Sequence, residues 1–334
     1  MRTAASRLTM TAGLCLAVLF TWLAIREVDL ALIGSKFLTA NLLLVPPFLA
    51  ALALFYWMKA QRWGVILDGV KPVQPRQLLS SMMVGFAGNN VLPMRLGDIV
   101  RIYLAGLDLG ISKSRVLGTM VLERVFDVAT ILVILAAVTL QLAPESTEFA
   151  AARWLLLIGT AMAVLMVCGF VFTPRWLARV VRALFKILPG RAQSFIEPRF
   201  VQLREGFSVL RNGWQLLPML LNSLAQWLLL SVCIYLSIIA FDIDITPLAA
   251  VIVMGLIVAG ISLPGAPGFI GTIEYCFVAG LSFFGVGATD ALSIAIFYHI
   301  LMFTSVVGAG VYYARRYGMS WKEIKTKADS VKTT

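Results

Sequence analysis

Six apolar stretches, each long enough to cross a lipid bilayer as a helix, constrain the fold of this chain more than any other feature. They cover residues 8–25, 41–58, 117–141, 154–173, 215–240 and 287–313. A helix needs roughly 20 apolar residues to cross a bilayer. Only 13% of the residues are charged, about half the usual fraction in a soluble domain. We therefore predict an all-α integral membrane protein, with residues 1–334 forming a single polytopic membrane domain.

Two further apolar regions are interrupted near their middle by proline and glycine. Residues 78–107 contain the sequence GNNVLPMRLGD, and residues 247–285 contain LPGAPG. Each half of such a region, at about 15 residues, is too short to cross a bilayer comfortably. Non-helical backbone at membrane depth needs protein or a wet cavity around it. The pattern predicts two re-entrant helical hairpins, with tips at Asn90, Pro93 and Gly97 and at Pro264, Gly265, Gly268 and Gly271.

Basic residues cluster in loops on one side of the predicted spans. Residues 59–77 and 174–214 and the tail 315–334 are rich in lysine and arginine, whereas the opposite loops are acidic or sparsely charged. Cytoplasmic loops of membrane proteins carry such an excess. We therefore predict a multi-pass protein of the plasma (inner) membrane with both termini in the cytoplasm. In this interpretation Lys59 and Arg62 belong to the first basic loop.

The predicted orientation makes the two halves of the chain inverted copies of one topology. Residues 1–141 and 154–313 each read as two spans, a hairpin and a further span, and their hairpins enter from opposite sides. The tips share the spacing Leu-Pro-x-x-x-Gly, beginning at Leu92 and at Leu263. Inverted repeats whose broken helices meet at mid-membrane are typical of secondary transporters.

Three charged residues accompany the first tip: Arg95, Asp98 and Arg101. Asp98 and Arg101 are three residues apart, so they share a helical face. A guanidinium group matches a phosphate bidentately, and a helix that begins after Pro93 adds N–H groups. We interpret these residues as a site for an anionic headgroup. The alternative is that the arginines anchor the chain at the cytoplasmic interface.

The span 117–141 carries three more charged residues near its start: Glu123, Arg124 and Asp127. An ionisable residue at membrane depth costs at least about 2.5 kcal/mol, so it needs a reason to be there. The three could bind a substrate amine or phosphate, or carry a proton relay. Equally, they could form a structural ion pair that holds this helix to its neighbours.

Glu274 and His299 are the candidate polar residues of the second half. Glu274 follows the second tip by one to two turns, and we expect it to be a central acidic residue. It could instead be a counter-ion for Arg95 or Arg101. His299 lies about midway along the last span, where a histidine is usually a hydrogen-bonded packing residue; proton coupling is the alternative.

A basic amphipathic segment occupies residues 174–214. Its stretch RWLARVVRALFK places four basic residues along one face: Arg175, Arg179, Arg182 and Lys186. Such a helix is suited to lying on an anionic membrane leaflet. We predict that leaflet as a partner of the protein.

Other functional classes find little support in the sequence. The net charge of +11 sits in loops and the tail, so we predict no nucleic-acid partner. The four cysteines lie in apolar runs, and the chain has one histidine; we therefore predict no metal and no cofactor. A nucleotide-binding loop of the form GxxxxGK[ST] is absent. We predict no catalytic residues, and an enzyme is the less favoured class.

The charged motifs resemble those of the flippase-like transmembrane family named after the membrane part of lysylphosphatidylglycerol synthase. The marks are Pro93-x-Arg95-x-Gly97-Asp98-x-x-Arg101, then Glu123-Arg124-x-x-Asp127, then Pro264-Gly265-x-x-Gly268 with Glu274. The resemblance spans roughly residues 10–315. The family usually carries glutamate at the position of Asp98 and often arginine near that of His299. Because the chain ends soon after the last span, we expect it to lack the soluble aminoacyl-transferase domain.

The resemblance implies a flippase-like transporter that moves a phospholipid or lipid-linked amphiphile across the inner membrane. One alternative is a membrane subunit or enzyme of lipid modification that acts with a separate synthase. Another is a non-catalytic partner that scaffolds such a synthase. The particular lipid, the direction, the energy source and the oligomeric state stay open.

Overall fold

The computed structural model of the protein describes residues 2–68, 71–92, 95–141, 154, 157–162, 216–262 and 266–318. Every regular element within these ranges is a helix. The chain divides into two compact units. Unit 1 comprises Met1–Tyr56, Ser80–Tyr103 and Leu228–Thr334, and unit 2 comprises Trp57–Leu79 and Leu104–Trp227. Both halves of the sequence therefore contribute to each unit.

The longer helices, in chain order, are α1 (Arg2–Ile25), α2 (Leu30–Thr39), α3 (Val45–Asp68), α4 (Pro75–Val91), α5 (Leu96–Leu109), α6 (Lys113–Gln141), α7 (Leu216–Ile239), α8 (Leu248–Ser262), α9 (Thr272–Ser282) and α10 (Ala288–Arg316). Two 3₁₀ turns accompany them, at Leu42–Leu44 and Pro267–Phe269. Residues 157–162 are also helical. The tip residues Pro93, Pro264 and Gly265 and the basic segment 174–214 lie outside the described residues.

Three of the described helical stretches are long and apolar enough to cross a bilayer by length and composition: Leu42–Asp68, Leu216–Ile239 and Ala288–Arg316. The apolar part of α1, Thr11–Ile25, is shorter. At 29 residues, α6 is long enough but carries several charges. The all-helical, membrane-spanning character is confirmed, whereas the number of six spans stays a prediction.

Local sequence explains several helix ends. Pro46 and Pro47 lie in the first turn of α3, where proline costs no intrahelical hydrogen bond. The last helix, α10, has Asp290 in its first turn and Arg315 and Arg316 in its last turn. These charges oppose the helix dipole at both ends.

Both interrupted apolar regions split into two short helices where proline and glycine predicted a break. The first gives α4 with 17 residues and α5 with 14, and the second gives α8 with 15 and α9 with 11. At 1.5 Å per residue these helices are only about 17 to 26 Å long, less than the thickness of a bilayer core. Whether each hairpin enters and leaves on one side stays a prediction.

The sequence did not reveal α2, because residues 26–40 carry charges of both signs. Asp29 caps this helix by accepting a hydrogen bond from the Ala31 amide at 3.0 Å, which replaces a missing intrahelical partner. The start of α10 holds it in place. The Asp29 amide donates to the Thr289 hydroxyl at 3.1 Å, and Lys36 pairs with Asp290 at 2.7 Å.

The assignment of Lys59 and Arg62 to a loop is wrong. α3 continues to Asp68, and both residues lie inside it, 5% and 1% exposed. A hydropathy pattern treats each charged residue as exposed, whatever its partner, so the predicted span ends at the first cluster of basic residues. Here the charges have buried acidic partners, which lets the helix continue through them.

Candidate functional site

Unit 1 contains the central part of the first broken segment, residues 80–103, and the whole of the second, and glycines let the helices of each segment approach closely. In the first segment, α4 and α5 pack antiparallel across Gly85, Gly88 and Gly97. A Cβ atom on Gly97 would overlap the Gly85 carbonyl oxygen and the Asn89 amide, and one on Gly88 would come within 2.8 Å of the Gly97 Cα. Small residues at helix contacts are the usual means of close packing in membranes.

The second segment is built the same way. A Cβ atom on Gly260 of α8 would come within 2.8 Å of Thr272, and one on Gly280 of α9 within 2.8 Å of Val253. The Cys276 thiol lies 3.3 Å from the Leu256 carbonyl oxygen. α8 and α9 therefore also fold back on each other.

Asp98 is held by a reciprocal pair of hydrogen bonds across the first hairpin. The Asn89 side-chain amide donates to Asp98 Oδ1 at 2.9 Å, and the Asp98 backbone amide donates to Asn89 Oδ1 at 3.1 Å. Asp98 also lies in the first turn of α5, where a negative charge stabilises the helix dipole. Asn89 is a residue that the sequence interpretation did not single out, although it stands in the quoted motif.

Arg101, one turn further along α5, is 1% exposed. Its guanidinium lies 5.5 Å from the centre of the Phe86 ring, within reach of a cation–π attraction. A Cβ atom on Gly85 would approach the Arg101 Cβ to 2.7 Å. The glycine in α4 therefore makes room for the arginine stem in α5.

Arg95 connects the first tip to the second. Its backbone adopts the left-handed conformation, with φ of 52°, which costs a non-glycine residue energy and is concentrated at functional sites. The guanidinium Nη2 donates to the Ile261 carbonyl oxygen at the end of α8. It also lies 5.9 Å from the centre of the Phe269 ring.

The backbone of the second tip lies against the first as well. A Cβ atom on Gly268 would meet the Asn90 carbonyl oxygen at 3.6 Å. Asn90 itself donates to the Phe86 carbonyl oxygen at 2.9 Å, within its own helix. We call the group formed by Asn90, Arg95, Ile261, Gly268 and Phe269 the tip contact.

Three of the four residues 268–271 in the second tip have a left-handed backbone. Gly268, Phe269 and Gly271 have φ of 72°, 58° and 81°. Gly271 sits tightly against α1, since a Cβ atom there would overlap Thr21 Oγ1 and come within 2.7 Å of the Ala17 carbonyl oxygen. Both the conformation and the lack of space require glycine at this position.

Glu274 and His299 meet directly beside this tip. Glu274 Oε1 lies 2.6 Å from His299 Nδ1, and His299 Nε2 lies 2.8 Å from the Gly268 carbonyl oxygen. The other carboxylate oxygen of Glu274 accepts a hydrogen bond from the Gly271 amide at 2.6 Å. The partners of Glu274 are thus His299 and Gly271, and the histidine makes specific bonds through both ring nitrogens.

Unit 2 holds a second group of charges, which we call the four-charge cluster: Lys59, Arg62, Glu123 and Asp127. Arg62 Nη2 lies 2.6 Å from Asp127 and 3.7 Å from Glu123. Lys59 Nζ lies 3.3 Å from Asp127 and 3.5 Å from Glu123. All four side chains are at most 6% exposed, and their formal charges cancel.

Helix α7 completes the surroundings of this cluster. Arg62 Nη1 donates to the Ser223 hydroxyl at 2.7 Å, and Trp227 Nε1 donates to Asp127 Oδ1 at 3.3 Å. Lys59 Nζ also lies 5.5 Å from the centre of the Trp227 ring. The cluster therefore ties α3, α6 and α7 together. Arg124 is exposed, and its charge also acts on Lys59 and Asp127.

The structure sorts the sequence candidates into two groups. Arg95, Asp98, Arg101, Glu274 and His299 belong to unit 1, and Glu123, Arg124 and Asp127 belong to unit 2. Sequence reasoning missed Lys59 and Arg62 as members of a site. Their local signal is that two basic residues three apart share one face of an otherwise apolar stretch, which marks a buried charge without identifying its partner.

Comparisons with known proteins agree with this picture. The chain matches the family described as lysylphosphatidylglycerol synthase TM region over residues 10–310. A curated relative, a UPF0104 membrane protein from Methanothermobacter thermautotrophicus, is 26% identical over 288 residues, which cover 80% of this chain and 82% of the relative. No solved structure matches the chain. Since the family match takes in both broken segments and nearly all of the sequence, the chain belongs to the family of the lysylphosphatidylglycerol synthase TM region and is a multi-pass membrane protein.

Proposed function

We propose that this protein translocates a phospholipid or lipid-linked amphiphile across the plasma membrane and binds the headgroup at the tip contact. The observation that carries the proposal is the position of Arg95. Its guanidinium lies at the junction of the two broken segments, against Ile261 and Phe269. Broken helices that meet in this way form the substrate sites of many transporters.

The chemistry of the tip contact suits an anionic headgroup. A guanidinium binds phosphate through two parallel hydrogen bonds and keeps its charge in an apolar environment. Arg95 directly precedes α5, which begins at Leu96, so amide groups of the first turn lie close by in the chain. Within the described contacts, Asp98 is held by Asn89 and Glu274 by His299.

The acyl chains would stay in the bilayer while the headgroup crosses. Large apolar side chains are exposed on several described helices, including Val18 of α1 at 70% and Leu217 of α7 at 64%. Such surfaces are stable next to lipid and unfavourable next to water. A substrate with an apolar tail can therefore follow the outside of the protein.

The topology belongs to the same proposal. The two segments act as re-entrant hairpins from opposite sides, within inverted repeats 1–141 and 154–313, and both termini lie in the cytoplasm. The similar construction of the hairpins, each packed through glycines such as Gly97 and Gly260, supports this arrangement. The basic segment 174–214 would then rest on the anionic cytoplasmic leaflet.

We assign the four-charge cluster a structural role. Its charges are balanced and engaged by one another, so an added phosphate or amine would have to displace a buried ion pair. Helix association in membranes is strengthened by polar contacts of this kind. The cluster therefore fixes α6 against its neighbours rather than receiving the substrate.

The test is translocation of a labelled phospholipid in proteoliposomes. Because a hydrogen bond to a charged group contributes about 1.5–3 kcal/mol, we expect Arg95→Ala to slow translocation by roughly tenfold or more. Arg95→Lys keeps the charge but loses the planar guanidinium that can donate two parallel hydrogen bonds, so its translocation rate should be intermediate. Arg26→Ala is the matched control, because Arg26 is exposed and its charged group contacts the neighbouring residues Glu27 and Trp22.

Two outcomes would count against the proposal. Wild-type rates in Arg95→Ala would remove the headgroup site. A change in the mass of the labelled lipid during the assay would favour lipid modification, the alternative function, since translocation changes the leaflet and leaves the molecule intact.

A further inference from the structure

The second tip is closed by a chain of three hydrogen bonds through two titratable side chains. It runs from the Gly268 carbonyl to His299, from His299 to Glu274, and from Glu274 to the Gly271 amide, over 2.8, 2.6 and 2.6 Å. The first and last of these hydrogen bonds both reach the backbone of the same turn, at Gly268 and Gly271, where φ is positive. The three hydrogen bonds together therefore hold the tip in this shape.

Counting hydrogens shows which protonation state this geometry needs. A backbone carbonyl only accepts hydrogen bonds, so His299 Nε2 must carry a hydrogen toward Gly268. The contact between His299 Nδ1 and Glu274 Oε1 then needs a second hydrogen, which belongs either to an imidazolium or to a carboxylic acid. In both forms the pair holds one proton more than a neutral histidine beside a carboxylate, and its net charge is zero.

Removing that proton must break one of the bonds. If the hydrogen stays on Nε2, the Nδ1 lone pair faces the Glu274 carboxylate at 2.6 Å, which is repulsive. If it moves to Nδ1, the charge-assisted bond to Glu274 survives, and the Nε2 lone pair faces the Gly268 carbonyl at 2.8 Å. The second form is favoured because a bond to a carboxylate is the stronger one. Loss of the proton therefore releases Gly268.

Release of Gly268 would change the tip contact directly, because Gly268 and Phe269 are part of it. Gly268 lies beside the Asn90 carbonyl oxygen, and the next residue, Phe269, carries the ring beneath the Arg95 guanidinium. A movement of this turn thus alters the surroundings of the group proposed to bind the headgroup.

Among the described residues, the side chains that pack against the turn from α1 and α8 carry no charge. α1 presents Ala17 and Thr21 against Gly271, and α8 presents Gly260 against α9; none of these titrates. Within α9 and α10, the titratable groups next to the pair in sequence are Tyr275, Cys276 and Tyr298, whose protons normally leave only at alkaline pH. Arg95, which reaches the turn through Phe269, keeps its charge throughout.

We propose that Glu274 and His299 form a proton-binding site that closes the second tip when occupied and releases it when empty. In a transporter, such a site couples movement of the substrate to uptake and release of one proton. The coupling rests on the proposed function, whereas the proton site rests only on the contacts within unit 1.

Amide hydrogen exchange measured by mass spectrometry tests the proton site without transport. Protection factors for residues 266–276, corrected for the intrinsic pH dependence of exchange, should fall about tenfold per pH unit in wild type where one proton is lost. Glu274→Gln should flatten this dependence to less than about twofold. Its amide can donate to Nδ1 and accept from Gly271, so every bond forms while His299 is neutral, without the additional proton. Unchanged protection across pH 5–9 in wild type would overturn the proposal, as would a wild-type slope in Glu274→Gln.

Thr304→Val is the matched control. Thr304 is exposed on the same helix, and its hydroxyl donates to carbonyls of that helix, at Ile300 and Leu301. This variant should keep the wild-type pH dependence. If Glu274→Gln does not fold, the pH dependence of amide protection in wild type still tests the proton site.

Proteoliposomes containing a trace of labelled phosphatidylglycerol test the coupling. We expect wild type to move the lipid severalfold faster with a proton gradient than without one, and Glu274→Gln to lose this difference. Equal wild-type rates in both conditions would overturn the coupling. No lipid movement in either condition, together with pH-dependent exchange, would overturn the proposed function while supporting the proton site.

Discussion

Neutralising Asp127 should destabilise the protein strongly, because the four-charge cluster is buried and balanced. Asp127→Asn keeps the shape of the side chain but leaves one excess positive charge among Lys59, Arg62 and Glu123. Asp127 lies 2.6 Å from Arg62 and 3.3 Å from Lys59, and Glu123 repels it. Asp127 is attracted by two charges and repelled by one, so its neutralisation removes the equivalent of about one attractive charge pair.

One pair of unit charges about 4 Å apart contributes about 4 kcal/mol at an effective dielectric constant of 20. Breaking a buried pair on one side typically costs a similar amount, about 3–5 kcal/mol. We therefore expect Asp127→Asn to lower the free energy of unfolding by about 4 kcal/mol and the unfolding midpoint by on the order of 10 °C. Circular dichroism provides both measurements: unfolding by a denaturing detergent gives the free energy, and unfolding by heat gives the midpoint.

Two further variants make the argument refutable. Asp68→Asn makes the same substitution at the exposed end of α3 and should change stability by less than about 0.5 kcal/mol. The double variant Lys59→Gln with Asp127→Asn restores charge balance and should recover much of the loss, since removing both partners is far less costly than removing one. If Asp127→Asn were as stable as wild type, or the double variant no better than the single one, the reasoning from charge balance would be wrong.

Three other substitutions have expected outcomes in the same unfolding assay. Gly97→Ala should destabilise by more than about 2 kcal/mol, because its Cβ would overlap the backbone of Gly85 and Asn89; a wild-type midpoint would contradict the close packing of α4 and α5. Gly34→Ala, with nothing within 4 Å of its Cβ, should be neutral or stabilising by up to about 1 kcal/mol. Lys36→Ala should cost less than about 1 kcal/mol, because its bridge to Asp290 is 42% exposed on the lysine side; a larger loss would show that α2 depends on this pair.

The breaks in the apolar regions were predictable because their causes are local. Proline and glycine interrupt helices wherever they occur in the chain, and α4, α5, α8 and α9 end or begin near the predicted tips. The family resemblance, too, came from motifs that are continuous in sequence. In contrast, α2 was missed, because residues 26–40 carry charges of both signs and the α10 residues that Asp29 and Lys36 contact lie far along the chain.

Partners of buried charges could not be read from the sequence. Glu274 could have paired with an arginine, but its partner is His299, 25 residues away. Arg62 and Asp127 are 65 residues apart, and hydropathy placed the former in a loop. A window of neighbouring residues contains no information about which distant helix will supply a counter-charge.

The sequence by itself determined that this chain is a helical membrane protein with two interrupted segments and charged residues beside the interruptions. These conclusions follow from local hydropathy and backbone chemistry. Only the tertiary structure decided that Arg95 reaches the second tip, that His299 joins Glu274 to Gly268, and that Lys59 and Arg62 are buried. Such pairings depend on helix packing, which brings together side chains that the chain itself keeps far apart.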